Sequence, residues 1–558
     1  MICAERKLRS TIGAMTRPLT LALAGLLLVG SMPRAAQTPG PPKLAVLIVV
    51  DQMRADYVDR FRGDWTAGLK RLATEGAWFS HAAYPYLETW TCPGHATIAT
   101  GAFPYRHGIV QNSWFDRGRG GLVGCVDDPD ARDIRYDDKS PSGGHSPSPL
   151  RLSTFADRLR ATRSAHVVVL SLKQRSAIPL AGRGGDAVTW LSDTLDGWQT
   201  SLAFTKKRVD AVEKFVEQHR IADDYGKTWT RLLPASRYSG VDDGPGEAPP
   251  PGWTRTFPHV LSSSSGKPDF QFDNQWERTP YADAYVGRFA AALVDAFQLG
   301  RHDGTDLLAI GFSTPDTVGH AFGPSSQEVQ DEYAQLDRTL GVLFDRIDAV
   351  VGRGQWTVAL SADHGVLPIP EQAVAEGKDA GRIDSAAVVQ AAERTASAAL
   401  GPGRYVAQLV ANDLYFARGV SDRLLMTSGA IDRVAGAVAA VPGIARVFRA
   451  EELRDGRKAS DPLLRAAALS YVADRSGDLV IAPKPGWMFL GGGGTTHGTT
   501  DPQNQRVPIL FFGRGVKPGV YAQAVTPADV APTLATICGT TMPDAEGRVL
   551  REALDAQR

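Results

Sequence analysis

The chain has 558 residues, 43% of them hydrophobic, with 57 glycines and 36 prolines. It is longer than a usual single domain, with apolar material for a sizeable core and many tight loops. Lys plus Arg and Asp plus Glu balance at 61 each, which excludes the strongly basic footprint of a nucleic-acid binder.

At the N-terminus Arg6, Lys7, Arg9 and Arg17 are followed by an apolar run over 19–30 and the small residues Ala35 and Ala36. That order is a secretory signal peptide, assigned to 1–36, although Arg34 occupies the −3 position where a small residue is preferred. The run is about a dozen residues, short of the roughly 20 that span a bilayer. No membrane span is therefore expected in the processed chain. Its location is expected to be periplasmic or secreted, and its state monomeric. Without the leader, 56 basic residues face 60 acidic ones, a net charge near −4. Cys92, Cys125 and Cys538 then remain. Three cysteines cannot all pair within one chain, which excludes a disulfide scaffold, while one bridge can form in an oxidising compartment.

Several short apolar runs end abruptly in polar residues. Leu44–Val50 is followed by Asp51, 166–171 by Lys173, 307–312 by Asp316, and Trp356–Ser361 by Asp363. Such runs read as buried parallel strands. Ligands of an open α/β sheet bind outside the carboxyl ends of its strands, so these polar residues are expected in one crevice. Between them, 238–268 is rich in Gly, Pro and Ser and reads as a long surface loop. A helix is expected from a capping box of Ser325 and Glu328, with Val329, Tyr333, Leu336, Leu340, Leu343 and Ile347 at spacings of three and four. Residues 370–480 contain a strand-like run at Val406–Val410, a helical stretch over 428–441 and another run over 445–448. They read as a small α+β insertion covering the site. Thr526-Pro527 opens a last helix and Gly539 closes it. The fold class is thus α/β, a mostly parallel central sheet flanked by helices. A catalytic domain over 37–369 and 481–558 is interrupted by the 370–480 insertion.

Asp316 and His320 stand four apart, Asp363 and His364 are adjacent, and His497 is flanked by Gly494 and Gly498. Carboxylate oxygen and imidazole nitrogen suit zinc. A lone histidine is more often structural than a ligand, but these three patterns together, two of them directly after strand-like runs, favour a metal site.

The order of Asp51, Thr91-Cys92-Pro93-Gly94-His95, Asp316/His320, Asp363/His364 and His497 resembles the alkaline phosphatase superfamily, with its phosphatases and nucleotide pyrophosphatase/phosphodiesterases, over roughly 44–550. The resemblance implies two zinc ions per chain, one on Asp316, His320 and His497, the other on Asp51, Asp363, His364 and the Thr91 oxygen. Each would keep an open position, as catalytic zinc requires. Thr91 would be the nucleophile, its weak hydroxyl activated by the metal. Two ions about 4 Å apart would stabilise the entering and leaving oxygens of an in-line displacement through a phospho-threonine. Thr91 also reads as a helix N-cap, and an N-terminus favours an anionic substrate.

Asn112, Lys173 and Arg175 resemble the phosphate-gripping residues of the PafA-like alkaline phosphatases. The bland reading of Lys173 and Arg175 is solvated surface charge, which their place directly after an expected central strand disfavours. Two cations facing the non-bridging oxygens favour a phosphomonoester, which carries one more charged oxygen than a diester. Small phosphate esters are the expected partners. Sulfatases of the same superfamily mature a cysteine in a C-x-P-x-R context, but here Thr91 stands two before Pro93 and His95 replaces the arginine. Cys92 is expected to pack beside Thr91, with pairing the lesser alternative. His95 and His107 are expected to be structural. A nucleotide phosphodiesterase would share Thr91 and all six metal ligands and remains the alternative, and a non-catalytic secreted binding protein is disfavoured by the complete ligand set.

Overall fold

Leu44–Val50 is entirely buried, because it lies at the middle of a sheet covered on both faces. The computed structural model describes residues 40–555 apart from 138 and 142. The leader expected over 1–36 lies outside the described residues. Ten strands form the main sheet in the order Gly519–Val525, Ala77–Ala82, Ile509–Gly513, Trp356–Ser361, Leu44–Val50, Asp306–Phe312, Val167–Ser171, Ala187–Leu191, Trp198–Ser201 and Asp133–Arg135. The five strands from Trp356–Ser361 to Ala187–Leu191 run parallel. Only Ile509–Gly513 and Trp198–Ser201 oppose the common direction. The expected mostly parallel α/β sheet is what the chain forms.

Side chains alternate across a strand with period two. Leu44, Val46, Ile48 and Val50 accordingly enter one core, with the helices Asp56–Phe61, Gly68–Glu75, Pro280–Ala296 and Gln327–Val351. Ala45, Leu47 and Val49 enter the other, with Thr91–Thr100, Phe155–Arg163, Gln174–Ala181 and Val530–Ile537. Burial on both faces is why these strands read as unbroken apolar runs.

Three local expectations are revised. The Gln327–Val351 helix is capped by Ser326, whose hydroxyl accepts from the Val329 N–H at 3.2 Å, rather than by Ser325. Glu328 is turned inward, where His259 Nε2 lies 3.0 Å from its carboxylate. The 238–268 segment is mainly loop, but it is not merely superficial: the Ala248 N–H donates to the Ala321 carbonyl at 2.8 Å, and Gly246 accepts from Gly494 at 2.7 Å. Those bonds join it to the helix and loop that carry His320 and His497. Within the 370–480 region, Val406–Val410, Asp413–Phe416, Leu479–Pro483 and Ile444–Arg449 form a four-stranded antiparallel sheet in that order. It packs on the helices Ser385–Leu400 and Ala430–Ala439 around an apolar cluster of its own, and its strand at Leu479–Pro483 passes residue 480.

Two contacts seat the Thr91–Thr100 helix. A Cβ on Gly94 would lie 2.2 Å from the Asp363 carbonyl oxygen, so only glycine lets this helix rest against the end of the Trp356–Ser361 strand. Cys92 is bridged to Cys125, 33 residues on. Cys92 therefore packs beside Thr91 and also pairs, where simple packing was the favoured expectation. The choice among three cysteines is settled by the hairpin of Ser113–Asp116 and Gly121–Gly124, which brings Cys125 back.

Gly94→Ala is expected to lower the unfolding free energy by about 1–3 kcal/mol through overpacking, read from urea denaturation. Replacing Cys92 and Cys125 together by alanine is expected to cost about 2–4 kcal/mol. An unchanged denaturation midpoint under both oxidising and reducing conditions would count against the bridge.

Candidate active site

The polar residues that follow the central strands converge. The Asp51 N–H donates to the Phe312 carbonyl at 2.9 Å, fixing Asp51 at the end of the central strand. Asp316 and His320 sit one turn apart on the helix Thr314–Phe322, which starts two residues after Phe312. Asp363 and His364 follow Ser361, and Lys173 precedes the helix Gln174–Ala181. Thr91 is the first residue of its helix; Trp90 occupies the N-cap position. The Thr91 hydroxyl is thus not spent on capping, contrary to the N-cap reading, and lies 3.4 Å from His364 Nε2.

Three imidazoles are oriented in the same way. Nδ1 of His320 faces the Thr495 carbonyl at 2.6 Å, Nδ1 of His497 the Thr89 carbonyl at 2.7 Å, and Nδ1 of His364 the Gly365 carbonyl at 3.0 Å. A proton held on Nδ1 by a carbonyl leaves the Nε2 lone pair as the ligand, which is how metal-binding histidines are commonly oriented. Each Nε2 is turned toward carboxylate oxygens. His320 Nε2 is 3.1 Å and His497 Nε2 3.8 Å from Asp316 Oδ1. His364 Nε2 is 3.5 Å from both Asp51 Oδ1 and Asp363 Oδ2. Donors sharing a tetrahedral zinc with bonds of roughly 2 Å are about 3.3 Å apart, so both groups have suitable spacings. Asp316, His320 and His497 form one compact candidate group and Asp51, Asp316 and His364 a second. Asp316 serves both, and Asp363 joins the second through its contact with His364.

Electrostatics show the same demand for positive charge. Burial raises the Asp363 carboxyl well above the usual range, and the neighbouring Asp51 adds to the rise. Burial also opposes ionisation of Asp316, but His320 and Lys173 outweigh it and hold that group well below its ordinary value. Burial pushes His364 down to about 3. His497 is likewise depressed by burial and by His364 and His320, so both are neutral and able to ligate. Asp51 Oδ1 and Asp363 Oδ2 are buried with no hydrogen-bond partner. A divalent cation fits these oxygens and nitrogens.

Lys173 Nζ bridges Asp51 Oδ2 at 2.6 Å and Asp316 Oδ2 at 2.5 Å. Burial disfavours its charge, yet Asp316 and Asp51 raise it above the usual lysine value. It therefore stands between the two groups as an ion-paired residue. Lys173, Arg175, Asp316 and His320 line a cavity of about 470 Å³, with Arg278 and Thr317 farther along the wall. Thr91, Asp51, Asp363 and His364 are buried more deeply. The cavity is closed on another side by Ala248, Leu490, Gly493 and Thr495. Residues of the 238–268 loop and of the segment around 490–496 thus line it, and none of 370–480 does. Asn112 Oδ1 accepts from the Cys92 N–H at 2.8 Å, which anchors the amide beside Thr91.

His95 and His107 make internal contacts. His95 Nδ1 faces the Thr91 carbonyl at 2.9 Å and burial lowers its pKa to about 4. His107 Nε2 lies 3.1 Å from Thr97 Oγ1. Sequence reasoning missed Gln52, whose backbone N–H reaches Asp363 and whose side-chain amide reaches Asp316. Only its adjacency to Asp51 hinted at it. The carbonyls of Thr89 and Thr495 were also missed, since backbone acceptors leave no residue-type signal.

Residues 45–506 match the family described as Type I phosphodiesterase / nucleotide pyrophosphatase. Among curated proteins, alkaline phosphatase PafA of Elizabethkingia meningoseptica is 31% identical, over 95% of this chain and 98% of its own. Alkaline phosphatase PhoK of a Sphingomonas species is 30% identical, over 94% and 97%. A crystal structure of wild-type PafA superposes with a TM-score of 0.83 at 29% identity, covering 93% of this chain and 100% of that one. With sheet, site and alignment in agreement, the chain belongs to the Type I phosphodiesterase / nucleotide pyrophosphatase family, as a PafA-like member of the alkaline phosphatase superfamily.

Proposed function

We propose that the chain is an exported, zinc-dependent alkaline phosphatase that hydrolyses small phosphate monoesters through a phospho-threonine. Its membership among phosphatase hydrolases rests on the alkaline phosphatases that align over nearly its whole length. The observation that carries the metal-dependent reading is the set of three histidines held through Nδ1 by backbone carbonyls, with Nε2 turned to buried carboxylates beside the Thr91 hydroxyl.

Asp316, His320 and His497 would hold one zinc, and Asp51, Asp363 and His364 with the Thr91 oxygen the other. When bound, the two ions would supply Lewis acidity for the entering and leaving oxygens. The chain's own residues supply the rest. Thr91 Oγ1 attacks phosphorus as its proton departs; the P–O bond to Thr91 forms, the bond to the leaving oxygen breaks, and the alcohol leaves with a proton. Water then attacks the phosphorus, the P–Oγ1 bond breaks, Thr91 recovers a proton and inorganic phosphate departs. Asn112, anchored at its Oδ1, presents its NH2 to a non-bridging oxygen. Lys173 keeps a third N–H beyond its two carboxylate bonds, and Arg175 adds a planar donor set suited to phosphate. These cations favour the monoester, whose extra charged oxygen gives them more to bind. A phosphodiesterase is the second reading, favoured by the family to which the chain belongs.

The Cys92–Cys125 bridge supports an oxidising compartment, since such bonds are rare in the cytosol. In keeping with it, we assign the leader to 1–36, the location to periplasm or medium, and the state to monomer. The division proposed is a catalytic domain over 37–369 and 481–558 with an insertion at 370–480. Among the described residues no helix is long and apolar enough to cross a membrane.

Thr91→Ala is expected to lower monoester turnover by roughly 10³-fold or more, while the Asp and His ligands still bind metal. Retained turnover would remove the covalent step. A chelator should abolish activity, with zinc restoring it, and elemental analysis should find two zinc ions per chain. Lys173→Ala together with Arg175→Ala should reduce kcat/KM for 4-nitrophenyl phosphate far more than for its methyl diester; preference of the wild type for the diester would favour the second reading.

A further inference from the structure

Gln52 directly follows Asp51, is 1% exposed, and has a φ of 68°. A buried glutamine in the left-handed region is uncommon and persists only where its surroundings hold it there. The turn aims both of its polar ends. Its backbone N–H donates to Asp363 Oδ1 at 3.1 Å. Its side-chain Nε2 donates to Asp316 Oδ1 at 2.6 Å and approaches the Asp316 carbonyl at 3.4 Å. One residue thus ties together the carboxylates that follow three neighbouring strands, Asp51 by covalent linkage and the other two by hydrogen bonds.

The seat for this side chain is made by another residue. A Cβ on Gly319 would lie 1.9 Å from Gln52 Oε1, so the glycine between Asp316 and His320 leaves the space in which the amide lies. A glutamate could fill that space but could not donate to Asp316. It would also add negative charge to a group already short of positive charge. Alanine at 319 would displace the amide without altering residue 52.

We infer that Gln52 is a positioning residue for both proposed metal groups. It holds in place Asp316 Oδ1, the oxygen that also faces His320 and His497, and through Asp363 Oδ1 turns Asp363 Oδ2 toward His364, and thereby sets cation affinity. The inference rests on the metal-dependent reading above. Outer-shell partners of this kind commonly contribute about 10–100-fold in metal affinity.

The test compares wild type with Gln52→Glu, Gln52→Gly and Gly319→Ala. Gln52→Gly removes the amide while accommodating the left-handed backbone, so it separates lost positioning from backbone strain. The readouts are zinc retained at graded chelator concentration, the visible absorption spectrum after cobalt substitution, melting of the metal-free proteins, and kcat and KM for 4-nitrophenyl phosphate. The expected result is about 10–100-fold weaker metal retention in all three variants and an altered cobalt spectrum. The loss should fall on kcat more than on KM, and the metal-free protein of Gln52→Gly should melt as the wild type does. Wild-type metal retention with an unchanged cobalt spectrum in Gln52→Gly would overturn the inference, as would failure of all three variants to fold, which would make Gln52 a packing residue. A wild type that retains no metal and hydrolyses esters without it would instead overturn the proposed function, so the two failures are distinguishable.

Discussion

Mutual repulsion of Asp51, Asp316 and Asp363 is the constraint on which the rest of the site depends. All three are buried where four apolar strands end side by side. Desolvated like charges are costly unless paired. The protein meets that cost only in part: Lys173 bridges Asp51 and Asp316, while Asp363 is driven toward its protonated form by burial and by Asp51. A shortage of positive charge therefore belongs to the fold itself. Rigid strand ends and backbone-anchored histidines keep the carboxylates from separating to relieve it.

That rigidity has its own local requirements. The Thr91–Thr100 helix can lie against Asp363 because residue 94 has no side chain, and the helix bearing Asp316 can face Gln52 because residue 319 has none. The disulfide from Cys92 to Cys125 adds a covalent tie beside Thr91. Close approach, a left-handed residue and buried oxygens without partners collect in one place, as expected where packing is subordinated to binding.

The sheet was legible because parallel strands covered on both faces carry unbroken apolar runs, and the ends of those runs alone place Asp51, Lys173, Asp316 and Asp363 in one crevice. Helix Gln327–Val351 was legible from its spacing, but its cap was misplaced by one residue, since Glu328 three residues after Ser325 is a capping-box signal that packing overrides by drawing its carboxylate inward to His259. The pairing of Cys92 depended on a hairpin with no strong sequence signature. The part that Ala248 and Leu490 to Thr495 play in lining the cavity was not legible, because they lie in Gly- and Pro-rich stretches whose tertiary contacts local composition does not encode. Gln52 was illegible for a different reason: its role depends on a backbone conformation that glutamine does not advertise, and on space left by a residue 267 positions away.

Lys173 connects the electrostatics to the choice of ester. In the apolar surroundings of a strand end an unpaired ammonium would be unstable, yet Asp51 and Asp316 hold it charged. The carboxylates that attract cations thus also preserve a positive group at the cavity wall. In the proposed reaction, divalent ions would take over much of the charge compensation of Asp51 and Asp316, leaving Lys173 less fully neutralised and freer to bind phosphate. Arg175 lies two residues on, at the start of the same helix and on the same wall, so in the proposed reaction the two cations would present a joint surface to one phosphoryl group. A diester has only one unit of negative charge to offer that surface. A monoester dianion has two, which is the physical ground for preferring it.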